Sequence, residues 1–71
     1  MPKLYSSKEI EKVLIRLSYS FVSQKGSHGK FKNSKGKIVI LPMNKKEIPF
    51  GTFNSILKQC NTTLEEFKSF L

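Results

Sequence analysis

The chain has 71 residues with no tryptophan, one cysteine and one histidine, and no acidic residue falls between Glu11 and Glu47. Each shortage excludes something. A single cysteine, Cys60, cannot close an internal disulfide, which fits a reducing compartment. No apolar run approaches the roughly 18 residues that span a bilayer. The opening MPKLYSSKEIEK has no apolar signal-peptide core, so a cytoplasmic location is expected. One histidine in an acid-free centre leaves too few ligands for a metal site. No phosphate-loop motif occurs either, so neither metal nor cofactor is expected. At this length one domain, 1–71, is expected, near the lower size limit for unaided folding.

Lysine, by contrast, is plentiful. The net charge is +8 and the isoelectric point about 9.9. Lys25, Lys30, Lys32, Lys35, Lys37, Lys45 and Lys46 all lie in the acid-free interval. Uncompensated ammonium groups at this density attract a polyanion such as nucleic acid by phosphate contact and counterion release. A solubilising surface is the alternative reading. Segregation of the charge, in place of interspersion, favours nucleic acid.

Hydrophobic spacing orders the elements. Ser6 and Glu9 form a capping box, Tyr5 and Ile10 a hydrophobic staple, and Ile10, Val13, Leu14 and Leu17 one apolar face, predicting a helix over about 6–18. Strands are predicted at about 19–25, 28–33 and 37–42, with NSKG supplying a hairpin turn. Thr52 is expected to cap a helix at about 52–60 with an apolar stripe of Phe53, Ile56, Leu57 and Cys60. Asn61 can close it, and Thr62 or Thr63 caps a last helix at about 63–70. The order α-β-β-β-α plus a C-terminal helix predicts an α+β fold, with a three-stranded antiparallel sheet covered by helices on one face. In KIVIL both alternating faces are apolar. Ile38 and Ile40 on the uncovered face therefore suggest a partner interface, though singly exposed apolar residues are also ordinary.

The stretch QKGSHGKFK holds the only histidine. Imidazole accepts or donates a proton near neutral pH. RNA carries its own nucleophile, the 2′-hydroxyl, beside a phosphodiester. Cleavage then needs a proton acceptor, positive charge near the phosphoryl oxygens and a held geometry. His28 is the candidate base. Lys25, Lys30, Lys32, Lys45 and Lys46 are candidate RNA-binding groups, with Gly26 and Ser27 shaping the pocket and Gly26 and Gly29 allowing close backbone approach. Cys60 reads as core filler on its apolar stripe, and Phe50 as a possible base-stacking residue. A general acid is not evident, since no second histidine exists.

These residues resemble the HicA family of toxin–antitoxin proteins. The likeness rests on the N-terminal amphipathic helix, QKGSH between the first two strands, a hydrophobic third strand ending in proline, a lysine-rich loop and GTFNSILKQCN. TTLEEFKSFL is similar to a C-terminal extension many members carry. The resemblance implies a double-stranded-RNA-binding-domain-like fold and a ribosome-independent, metal-independent mRNA interferase with His28 as catalytic residue. It also implies a HicB-like antitoxin that masks the site, with DNA contacted only through that complex. Ser23 stands where the family often has arginine, Gly29 where an apolar residue or second histidine is common, and Asn44 near the place of another histidine. A non-catalytic double-stranded-RNA-binding-like module using the same basic surface is the alternative, and a purely structural interaction protein is a third.

Overall fold

The computed structural model describes residues 3–71. Helix α1 spans Ser7–Arg16. The Ser6 hydroxyl accepts from the Glu9 amide at 3.1 Å, and the Glu9 carboxylate accepts from the Ser6 amide at 2.9 Å. Two donors that a helix N-terminus leaves orphaned are thereby satisfied. Tyr5, Ile10, Val13 and Leu14 are all buried. The helix stops short of the expected residue 18 because Ser18 turns left-handed, at φ 72°. From there the Ser18 and Tyr19 amides donate back to the Ile15 and Leu14 carbonyls at 3.0 and 2.9 Å, a Schellman closure.

Strands β1 (Ser20–Lys25), β2 (His28–Lys32) and β3 (Ile38–Pro42) form one antiparallel sheet with β2 central. The β2–β3 turn is built by Asn33, whose side-chain oxygen accepts from the amides of Lys35 and Lys37 at 3.0 and 2.8 Å. Helices α2 (Phe50–Gln59) and α3 (Leu64–Ser69) follow. Thr52 does not cap α2, contrary to expectation. The helix starts two residues earlier, behind Pro49, with no side-chain cap. The ring-fixed φ of Pro49, −55°, leads the chain into the helix and leaves Thr52 within the first turn. Asn61, left-handed at φ 52°, closes α2 as expected, and Thr63 with Glu66 makes the capping box of α3.

The result is the expected α+β arrangement, an α-β-β-β-α order with an added helix and helices on one sheet face. Phe31, Val39 and Leu41 are fully buried on the inner side of the sheet, in one core with Ile10, Val13, Leu14, Phe53 and Ile56. Tyr5, Phe53 and Phe67 close the far side of that core as a trio of rings, with centroids 4.8 to 5.2 Å apart. Tyr19 is also buried, and burial, helped by the nearby Cys60, pushes its phenol above the ordinary value. Ser7, the one buried polar residue among those described, donates to the Pro42 carbonyl at 2.6 Å and accepts from the Lys45 amide at 3.0 Å. It fastens α1 to the segment after β3. Among the described residues no helix is long and apolar enough to cross a membrane.

Candidate active site on the open sheet face

The period of two along a strand sends His28, Lys30 and Lys32 to one face of β2 and Gly29 and Phe31 to the other. Gly29 and Phe31 are buried, while His28 and Lys32 are exposed and Lys30 is half-buried. On β3 the partners of His28, Lys30 and Lys32 are Pro42, Ile40 and Ile38. Ile38 and Ile40 are each 41% exposed, so the open face carries an apolar row beside a cationic one.

The third row, on β1, depends on a bulge. Phe21 pairs with Phe31 but Ser23 pairs with Lys30, so Val22 is an extra residue in the ladder. Simple alternation would put Phe21, Ser23 and Lys25 together on one face. The bulge separates them. Phe21 stays on the inner face, its ring edge-on to Phe31 at 5.6 Å, while Ser23 and Lys25 join His28 outside. There Ser23, Lys25, His28, Lys30 and Ile40 line an open depression of about 600 Å³. Lys25 is directly paired with His28 across the ladder. The chain's five carboxylates, all Glu, are absent from its lining. Positive charge there is thus left for an outside anion, next to the one side chain suited to moving protons at neutral pH.

The family model described as "HicA toxin of bacterial toxin-antitoxin" matches residues 7–61. The chain belongs to the HicA toxin family. No curated protein matches it. The matched span runs from the start of α1 to the close of α2 and contains the whole His28 depression; α3 lies beyond it. Membership makes this HicA chain a toxin of a toxin–antitoxin system, with an antitoxin as its partner.

In this HicA toxin the residues singled out from sequence do not all converge. Lys25 and Lys30 share the His28 depression, whereas Lys32 continues the same row beyond it. Lys45 and Lys46 line a separate depression beside α1. Gly26 and Ser27 are the two residues of the β1–β2 hairpin loop. With Gly26 at φ 59°, the loop takes the glycine-first turn that matches strand twist. The sequence suggested that Gly29 allows close backbone approach to a ligand, and the structure corrects this. Gly29 is buried on the inner face, where a Cβ would stand 2.8 Å from the Met43 Sδ, so it is a packing glycine. Phe50 is 41% exposed but lines a different hollow, with Phe53, Leu64 and Lys68. Cys60 packs against the core and its thiol donates to the Ile56 carbonyl at 3.1 Å, as its apolar stripe implied. Ser23, pocket-lining here, was visible in the sequence only as a departure from the family pattern.

Proposed function

We propose that this toxin is a ribosome-independent endoribonuclease that cleaves mRNA with His28 as its single catalytic histidine, without a metal, and that a HicB-like antitoxin neutralises it. The observation that carries the reading is the depression itself. One exposed imidazole shares the hollow with two lysines, on a face that no helix covers and with no carboxylate in the lining. In the proposed step His28 accepts the 2′-hydroxyl proton. The 2′-oxygen attacks the adjacent phosphorus, the O2′–P bond forms and the P–O5′ bond breaks, and a lysine or water protonates the leaving 5′-oxygen. The products are a 2′,3′-cyclic phosphate and a 5′-hydroxyl. Lys25 and Lys30 stabilise charge on the phosphoryl oxygens, and Lys32 extends the backbone contact. The antitoxin is proposed to cover His28, burying Ile38 and Ile40 and pairing acidic residues with the lysine rows.

The test is cleavage of a defined RNA by purified protein in excess chelator, wild type beside His28→Ala. Wild type is expected to leave cyclic-phosphate ends; the variant is expected to leave RNA intact and to melt at the same temperature. Equal cutting by the variant would remove His28 from the chemistry. The missing carboxylate or second histidine beside His28 favours one other reading, an RNA-binding module without catalysis. It requires that the protein shift RNA on a gel without degrading it, and that Lys25→Ala and Lys30→Ala weaken the shift more than His28→Ala does.

A further inference from the structure

The second depression lies around the end of the sheet from His28. It measures about 410 Å³, and its rim carries Lys8, Lys45 and Lys46, with Asn44, Met43 and a single acid, Glu11. Glu11 forms no ion pair there, the only one among the described residues joining Lys3 to Glu9, and a single carboxylate offsets at most one of the three lysines. Nor is the helix end the attraction. The Ser7 and Glu9 amides are already bonded, to the Lys45 carbonyl and the Ser6 hydroxyl, so an anion here would be held by ammonium groups.

Two features connect this hollow to the first. The Met43 amide donates to the carbonyl of Ser27, the residue before His28, at 2.6 Å, and Pro42 is the ladder partner of His28. The loop that carries the lysines is also fixed. Lys45 bonds through both its amide and its carbonyl to Ser7, which is only 3% exposed. The separation can be bounded. Paired Cα atoms lie within about 5.5 Å, and three extended residues from Pro42 to Lys45 add at most about 11 Å. A strand stacked at 3.4 Å per nucleotide covers that distance in about five nucleotides.

We propose that the Lys8–Lys45–Lys46 depression is a second phosphate subsite, holding the backbone of single-stranded RNA within about five nucleotides of the phosphodiester at His28. The assignment rests on the reading of this protein as an RNA-cutting toxin. A single strand fits because the path turns from the sheet face around the end of the sheet. A duplex, stiff over about 150 base pairs in the case of DNA, does not follow such a corner. Lysines in this position grip phosphate and leave the bases unread. The subsite therefore sets a minimum substrate length and no sequence preference.

The experiment uses the full chain carrying His28→Ala, so that RNA survives, and measures fluorescence anisotropy with labelled single-stranded RNA of stepped length. Affinity is expected to rise about tenfold as length passes about five nucleotides. Adding Lys45→Ala and Lys46→Ala should erase that rise and flatten the log–log salt slope by about 1.4, at about 0.7 per single-strand phosphate. Lys45→Gln with Lys46→Gln, which keeps side-chain bulk, should do the same. Lys58→Ala, in the last turn of α2, should retain the rise. A smooth length dependence, a rise that survives both double variants, or equal loss with Lys58→Ala overturns the subsite. The two readings separate cleanly: wild type that leaves RNA uncut while the rise persists sinks the nuclease and keeps the subsite. Cutting without a rise does the reverse.

Discussion

Phe67→Ala tests whether α3 belongs to the fold, although it lies outside the part of the chain that the family match covers. Phe67 is 2% exposed, and its ring meets Tyr5 at 4.8 Å and Phe53 at 4.9 Å, both edge-on. Emptying a site of this kind costs about 3–5 kcal/mol in lost transfer energy and residual cavity. Each aromatic pair accounts for about 0.5–1.5 kcal/mol beyond its buried area. At about 0.05–0.15 kcal/mol per residue, a chain of 71 residues is stable by roughly 4–10 kcal/mol. A loss near 4 kcal/mol therefore removes between two fifths and all of the stability. At about 4–8 °C per kcal/mol the melting temperature should fall by more than 15 °C, if a transition survives at all. Urea titration followed by far-ultraviolet circular dichroism reads this directly, with Phe67→Leu expected to lose much less because it keeps most of the volume. A loss under about 1 kcal/mol for Phe67→Ala would mean that α3 is an ornament on a core that stands without it.

Two further outcomes follow from local geometry. Ser18 closes α1 at φ 72°, a region that side-chain-bearing residues enter at a cost, so Ser18→Gly should stabilise the protein by about 0.5–1 kcal/mol in the same titration. No gain would show that the turn carries no strain. The Glu9 carboxyl is held below its ordinary 4.5, chiefly by the Ser6 amide, with burial opposing and Lys3 assisting. A carboxyl depressed in the folded state stabilises above its unfolded value, and that contribution fades as pH falls through the folded one. The urea midpoint of wild type should therefore drop on acidification below about pH 4.5 more steeply than that of Glu9→Gln. Parallel curves would refute the linkage.

Helix α1, the α2 stripe, a threonine cap on α3 and the uncovered apolar row of β3 were legible because period and capping chemistry are local properties. Ser6 and Glu9 announce a helix start wherever they fall three apart before an apolar face. The bulge was not legible. Nothing in SFVSQK marks Val22 as the supernumerary residue, and only the cross-strand pairing of Phe21 with Phe31 and of Ser23 with Lys30 reveals it. Gly29 illustrates the same limit, because the Met43 side chain that claims its space follows β3 in the chain and meets Gly29 only through the pairing of β2 with β3. Pro49 displaced the expected Thr52 cap because a ring-fixed φ acts on the backbone before a hydroxyl finds an amide. At the site, composition pointed to His28 and to lysine in general. Sorting Lys25 and Lys30 from Lys45 and Lys46 required knowing which strand ends meet.

The Tyr5–Phe53–Phe67 trio joins positions separated by nearly the whole sequence. Everything that forms the His28 surface lies between them and leaves the ribosome before Phe67 does. Closing so long a loop is entropically late, and contacts made late leave earlier-formed parts provisional. Until Phe67 joins the trio, the cationic face rests on a core that lacks one of its rings. Rigidity of the cationic face is thus tied to a ring far from it in sequence, on a helix that carries none of its lysines.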